Sequence, residues 1–525
     1  MSEAVGTIVE TNVGKVEGIQ QDGLNVFKGI PYAAPPGGNR RWLPPEPVEP
    51  WTGVRQAQSF GATAPQNPFG ATAPQNPIEL DIFKAFLVEE PQSEGCLYLN
   101  IWTPGLDDTR RPVLFWIHGG GFTIGSGSQP VYRGSTLSRR GNVVVVTINY
   151  RLGSLGFLNL NEVTGGRIPA TGNEGLLDQV AALEWVRDNI AAFGGDPDNV
   201  TIFGESAGGM SVGSLLGMPR ARGLFHKAIP QSGAASTAHP LDRAVWLAEH
   251  FLDILGLGAR DVDALRSLTV EQLLAAQQDL VTRVSGVNPE IGGMPMQPVV
   301  DGKVLPMMPL DAIAGGSADG VPVLVGSTLE EWKLLGTMDP GLGKLDEAGL
   351  LRRCKRLIPL DDVQSLVEAY RSARAKRGAS TTPSELFAAI QTDRVFRMPA
   401  IRLAETQHRR GQPVYNYLFT WPSPLFDGLL GACHALELGF LFGTYEEKFS
   451  GSGPAADALA KNIQDAWLAF AHTGDPSCES LGTWPTYGDS RETMILGEEC
   501  TLEQAPYDEE RRTWDSVPDA TTGSL

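Results

Sequence analysis

Three runs of consecutive apolar residues stand out in the N-terminal half of the chain: Val113-Leu114-Phe115-Trp116-Ile117, Val143-Val144-Val145-Val146-Thr147-Ile148 and Val200-Thr201-Ile202-Phe203. Each ends at a turn former or polar residue: Gly119-Gly120-Gly121, Asn149 and Gly204. Runs that are β-branched and lack polar alternation suit strands buried on both faces of a parallel sheet. Between the second and third, apolar residues at Leu176, Leu177, Val180, Leu183, Trp185, Val186 and Ile190 follow a helical spacing. Strand–helix–strand alternation predicts an α/β fold with a mostly parallel central sheet flanked by helices.

Elsewhere the pattern is weaker. The first ~50 residues alternate short apolar pieces with turns, as a β meander would. Residues from about 240 to 320 and from 340 to 400 are rich in helix formers broken by Pro and Gly, and are expected to be helical insertions. Asp465 to Phe470 belongs to a late helix, and the tail from Asp515 onward is expected to fray. One segment is duplicated: Phe60-Gly61-Ala62-Thr63-Ala64-Pro65-Gln66-Asn67-Pro68 recurs unchanged as Phe69 to Pro77. It is too short for a solenoid repeat. Its composition predicts that the 60–77 loop is an exposed lid.

Length and charge narrow the class. At about 150 residues per domain, 525 residues suggest several domains, although large α/β enzymes often form one. The net charge of −19 argues against nucleic acid or an anionic membrane as partner. It favours neutral or cationic substrates. The N-terminus lacks a basic start and an apolar run of signal-peptide length, and no run of about 18 apolar residues predicts a membrane span. Cys96, Cys354, Cys433, Cys478 and Cys500 are scattered, with no metal-ligand spacing. A cytoplasmic, reduced protein is the simplest reading. Nothing in the pattern sets an oligomeric state.

The chemistry concentrates after two of the buried strands. Gly204-Glu205-Ser206-Ala207-Gly208 fits G-x-S-x-G and precedes a helix start. A serine on a sharp strand-to-helix turn is exposed, and small neighbours relieve the crowding there. His118-Gly119-Gly120-Gly121-Phe122 follows another strand, and successive glycine N–H groups can converge on an oxyanion. A serine nucleophile needs a base and an orienting acid, in chain order Ser, acid, His. Of the downstream histidines, His434 sits in a loop before an apolar segment, whereas His472 falls on the late helix as a surface or packing residue.

These motifs lie in order with others: Phe27-Lys28-Gly29-Ile30-Pro31-Tyr32-Ala33, Glu94 to Asn100, Asn149-Tyr150-Arg151, Phe193-Gly194-Gly195-Asp196-Pro197, Gln231-Ser232-Gly233 and His434 to Gly443. Together they resemble the type B carboxylesterases, which include cholinesterases and bacterial p-nitrobenzyl esterases. The resemblance runs through most of the chain and implies one α/β-hydrolase catalytic domain spanning 1–525. It implies Ser206 as nucleophile, His434 as base and Glu331 as triad acid. It also implies Gly120, Gly121 and Ala207 as oxyanion-hole donors, with Glu205, Ser232 and Glu437 beside the triad. The family commonly has Asp-Glu-Gly where this chain has Glu330-Glu331-Trp332, so Glu330 is the alternative acid. Glu437 has a second reading as a solvated helix charge. Arg41 and Glu94 match a structural ion pair. Cys96 matches a cysteine bridged in secreted members, but no cysteine precedes it here; Cys433 reads as packing. Gly292 and Met294 match positions that are bulky aromatics in acetyl-selective relatives, implying a roomier acyl pocket.

The expected activity is hydrolysis of small-molecule carboxylic esters through an acyl-enzyme, with no metal or cofactor. Amides, carbamates or polyesters are the alternative, since they share that route. A non-catalytic adhesion protein of the same fold would have lost triad residues, and all are present.

Overall fold

The computed structural model describes residues 6–67, 88, 90–287 and 294–523. In chain order its strands are β1 (Gly6–Thr11), β2 (Gly14–Gln21), β3 (Leu24–Pro31), β4 (Val54–Gln56), β5 (Tyr98–Thr103), β6 (Arg111–Ile117), β7 (Val144–Ile148) and β8 (Gly195–Glu205). There follow β9 (Lys227–Gln231), β10 (His239–Pro240), β11 (Val299–Val300), β12 (Val323–Thr328), β13 (Val414–Phe419), β14 (Glu492–Leu496) and β15 (Thr501–Gln504). Among the described residues one sheet runs β1-β2-β3-β5-β7-β6-β8-β9-β12-β13-β14-β15, with β4 beside β2. From β7 to β14 every neighbouring pair in that order is parallel. The meander β1-β2-β3-β5 and the last strand are antiparallel. β10 and β11 form a separate parallel pair.

Side-chain alternation explains the apolar runs. Val113, Phe115 and Ile117 enter one core, while Leu114 and Trp116 enter another on the opposite face. β7 divides likewise, with Val144, Val146 and Ile148 on one side and Val143 and Val145 on the other. A strand covered on both faces has no place for polar alternation. The helix Glu174–Asn189 lends Leu176, Val180, Leu183 and Val186 to the first core. Helices Leu436–Phe442 and Pro454–Thr473 cover the second.

Between β9 and β12 lie helices Leu241–Ile254, Val262–Ser267, Val270–Val287 and Pro309–Ala314, together with β10 and β11. Between β12 and β13 lie helices that include Glu347–Leu357, Val363–Lys376, Pro383–Thr392 and Met398–Arg409. Several of these build a third core around Leu350, Leu366, Phe387 and Met398. No helix among the described residues is long and apolar enough to cross a membrane.

Two sequence expectations change. The tail does not fray through Gly523: Trp514 and Val517 enter the third core. Arg402 donates to the carbonyls of Trp514 at 3.2 Å and Val517 at 2.6 Å, and to Thr522 Oγ1 at 3.0 Å. The first copy of the duplicated segment is not an exposed lid either. Thr63, Ala64 and Gln66 are buried. Thr63 exchanges backbone bonds with Pro91 and Ser93. Gln66 accepts from Gly125 N at 2.8 Å and donates to Gly125 O at 3.0 Å, and Asn149 Nδ2 donates to Ala62 O. The Gln66 side-chain amide is satisfied by backbone rather than solvent. The second copy, Phe69 to Pro77, lies outside the described residues.

A buried ion pair locks the turn after β7. Arg151 and Asp178 bond twice, at 2.7 and 2.8 Å, with both side chains almost completely enclosed. Arg151 also donates to Leu43 O at 2.7 Å. Asp178→Ala would strand the guanidinium, at a cost of about 3–5 kcal/mol. We expect that loss in denaturant unfolding, with much of it recovered in Asp178→Leu/Arg151→Met; a single-variant loss below about 1 kcal/mol would contradict the account.

Candidate active site

The parallel strands deliver the chemistry to their C-terminal ends. β8 ends at Glu205, and Ser206 follows with φ 59° and ψ −126°, in front of the helix Ala207–Gly217. That backbone is costly for a residue with a Cβ and persists only where the surroundings impose it. Ser206 N donates to Gln231 O at 3.0 Å, and its carbonyl accepts from Met210 N at 2.9 Å. The flanking glycines are steric requirements. A Cβ on Gly204 would stand 2.6 Å from the Gly208 carbonyl carbon, and one on Gly208 would collide with Ile117 O. The turn after β9 wraps beneath: Ser232, with φ 44°, donates its N–H to Gly326 O. A Cβ on Gly233 would strike Ser206 O.

β6 ends beside β8 and leads into the glycine turn. The His118 ring stacks on Tyr150 at 4.4 Å, and Tyr150 Oη donates to His118 O. Burial pushes His118 down to about 4, so it is neutral and structural. Gly120 and Gly121 take φ 108° and 59°. A Cβ on Gly119 would lie 3.0 Å from Ser206 Cβ, so the turn rests against the serine. The Gly120 carbonyl is occupied by Thr123 and Ile124 N–H, whereas the N–H groups of Gly120, Gly121 and Ala207 bond to no acceptor among the described residues. Three unpaired donors beside a strained serine form an electropositive corner.

The turn after β12 brings a carboxylate to the histidine. Glu331 is fully buried; its Oε1 accepts from Thr328 N at 2.7 Å, and its Oε2 lies 2.6 Å from His434 Nδ1. This arrangement selects Glu331 over Glu330 as the partner of the imidazole. Glu330 turns the other way, to Lys333 Nζ at 2.8 Å and Ala432 N at 3.0 Å. His434 precedes Ala435, which has φ 64°, and the helix Leu436–Phe442. The Phe396 ring packs on His434 at 4.8 Å. Nε2 faces Glu205 Oε1 at 3.2 Å, and no hydrogen bond joins it to Ser206 Oγ among the described residues.

Electrostatics are crowded. Burial pulls His434 down, but Glu205 and then Glu331 outweigh it and push it up to about 9. Burial raises Glu205 to about 7 against the opposing pull of His434. Glu437 rises to about 8, from burial first and then repulsion by Glu205 and Glu331. Three carboxyl groups around one imidazole cannot all ionise without cost, and both Glu205 and Glu437 are raised accordingly. Glu437 is buried, which removes its reading as a solvated helix charge.

Gln231, missed as a site residue, holds this group together: its Nε2 donates to Glu437 Oε1, and its Oε1 accepts from Trp467 Nε1, both at 3.2 Å. Its place in Gln231-Ser232-Gly233 was the available signal; for Phe396 there was none. Met294 is buried with its sulfur 3.8 Å from where a Cβ on Gly121 would sit. The Gly292 expectation lies outside the described residues. Arg41 and Glu94 pair at 2.5 Å, and Arg41 also donates to the Arg266 and Leu268 carbonyls. Cys433 is buried, and all five cysteines are unpaired. His472 is exposed and bonds Gly141 O. Among the described residues no group of His, Cys, Asp and Glu is arranged to hold a metal ion.

Comparison with known proteins gives a consistent result. The profile of the Carboxylesterase family matches residues 5–514. Para-nitrobenzyl esterase of Bacillus subtilis (strain 168) is 40% identical over 513 residues, covering 96% of this chain and 98% of that protein. Phenmedipham hydrolase of Pseudarthrobacter oxydans is 36% identical over 512 residues, covering 94% and 95%. The crystal structure of the Geobacillus stearothermophilus carboxylesterase EST55 at pH 6.2 matches with a TM-score of 0.85 and 41% identity, over 97% of this chain and 100% of that one. Both the doubly covered parallel sheet and these whole-length likenesses therefore lead to the same assignment: the chain belongs to the carboxylesterase family, has the α/β-hydrolase fold and is a carboxylic ester hydrolase.

Proposed function

We propose that Ser206, His434 and Glu331 are the catalytic triad and that the N–H groups of Gly120, Gly121 and Ala207 are the oxyanion hole, acting on small-molecule esters. The observation that carries this reading is the 2.6 Å contact between Glu331 Oε2 and His434 Nδ1, which turns the other imidazole nitrogen toward the end of β8. In its neutral form, which the raised His434 reaches only by first losing a proton, Nε2 takes the Ser206 proton as Oγ attacks the ester carbonyl. The developing oxyanion meets the three N–H donors, already in position and unpaired. Glu331 stabilises the imidazolium. His434 then gives its proton to the leaving alcohol, and water repeats the sequence to release the acid. The Ser206–His434 hydrogen bond forms when substrate enters, since catalytic contacts commonly close only in the complex.

Glu205, Glu437 and Ser232 complete the surroundings of the imidazole. Met294, beside Gly121, forms part of the acyl pocket, and its flexible thioether accommodates chains longer than acetyl. The whole chain acts as one catalytic unit in a bacterial-type, cytoplasmic enzyme, a reading supported by the bacterial relatives and five unpaired cysteines. The net charge of −19 supports partners other than nucleic acid or anionic membranes. Carbamates are the second reading, because a 36% identical relative is a phenmedipham hydrolase.

The test has two arms. A fluorophosphonate should add to Ser206 and to no other residue, read by peptide mass mapping. On p-nitrophenyl acetate, butyrate, hexanoate and a matched aryl carbamate, we expect kcat/KM to be highest on butyrate or hexanoate and measurable on the carbamate. Labelling elsewhere would remove the nucleophile assignment. A strict acetate preference would remove the roomy acyl pocket, and an inert carbamate would confine the enzyme to esters.

A further inference from the structure

We propose that Glu330 is a positioning residue for His434: it clamps the loop that carries the imidazole to the turn that carries Glu331. The proposal rests on the triad reading above. Glu330 N donates to Ala432 O at 2.9 Å, and Glu330 Oε2 accepts from Ala432 N at 3.0 Å. One residue thus holds both backbone polar groups of Ala432, which is itself buried. Lys333 Nζ fixes the other carboxylate oxygen at 2.8 Å, and Lys333 is held in turn by Glu385 at 3.5 Å. Gly431 makes the approach possible. It has φ 55°, and a Cβ there would occupy the position of Glu330 Oε2. On its far side Gly431 O accepts from Ser423 N at 2.8 Å, so the loop is gripped from two directions just ahead of His434.

Both ends of the His434–Glu331 hydrogen bond therefore hang from one turn. Glu331 belongs to it, and His434 reaches it through Cys433, Ala432 and Glu330. Charge-assisted bonds to a backbone N–H are strong and directional, and a misplacement of about 1 Å in a catalytic group can cost about 10²-fold in rate. The Glu330 side chain is 25% exposed and the Lys333 side chain 18%. Removing the clamp should thus disturb geometry more than folding.

The test uses the full chain carrying E330A, E330M and E330Q, each normalised by active-site titration. Methionine keeps the length of the side chain without an acceptor; glutamine keeps an oxygen that Ala432 N can reach. We expect E330A and E330M to lower kcat by about 10–100-fold per titrated site with KM within about threefold, and to slow fluorophosphonate labelling of Ser206 by the same factor. E330Q should stay within about threefold of the parent. If E330A does not fold, E330M against E330Q carries the comparison. Per-site rates of E330M equal to the parent, or E330Q as impaired as E330M, would overturn the proposal. S206A and H434A are measured alongside. Turnover surviving in those would remove the triad reading itself, whereas their loss with a normal E330M removes only the clamp.

Discussion

Ser206→Ala and His434→Ala are each expected to lower kcat by about 10⁴–10⁶, with the fold intact. That corresponds to about 5–8 kcal/mol of lost transition-state stabilisation. The two variants should differ in stability. Ser206 Oγ makes no hydrogen bond among the described residues, and alanine at φ 59° is no more strained than serine, so S206A should melt like the parent. Removing His434 leaves Glu331 Oε2 buried without the imidazole, a loss of about 1–3 kcal/mol. The effects on turnover should not add: the double variant should be no slower than either single one, because the pair acts as a unit. Steady-state kinetics and thermal melts on purified protein check both halves. More than a few per cent of parental turnover in either variant would refute the assignment.

Glu331→Gln is expected to cost about 10⁴ in kcat, as loss of an orienting charge does. The amide can still accept from Thr328 N, so the turn should persist. It cannot, however, both face Nδ1 with an acceptor and balance an imidazolium. Glu205 offers no substitute: its carboxylate lies against Nε2, the nitrogen that must exchange protons with Ser206. Glu330→Gln should cost only a few-fold. A reversed pair of outcomes would mean that Glu330, not Glu331, faces the histidine during turnover.

What the sequence reveals follows from where polar groups are satisfied. β6, β7 and β8 were legible because burial on both faces leaves an unbroken apolar run. Ser206 and the glycines around it were legible because a turn this tight admits few residue types. The choice of Glu331 over Glu330 came only from the resemblance, since adjacent carboxylates point in opposite directions only once the turn is built. Glu437 was matched to the triad's surroundings by resemblance but also read as a helix-surface glutamate, because its burial comes with a partner distant in the chain, Gln231, which Trp467 holds in turn. The tail was misread for a similar reason. Its anchors include Arg402, which reaches main-chain carbonyls, and contacts of that kind leave no periodicity. The docked segment 62–67 was misread because composition does not separate a solvated polar residue from one bonded to buried backbone.

That docked segment has a combinatorial consequence. The nine residues that contain it, Phe60 to Pro68, are followed at once by an identical nine, so deleting the first copy or the second yields the same polypeptide. The shortened chain would still contain Ala62, Thr63 and Gln66 in sequence, able to make every bond they make to Pro91, Ser93, Gly125 and Asn149. The duplication therefore adds nine residues while leaving that sequence available for the described contacts. It also supplies a spare: a mutation that spoils Gln66 leaves an intact glutamine one repeat later, at Gln75, to compete for the same seat.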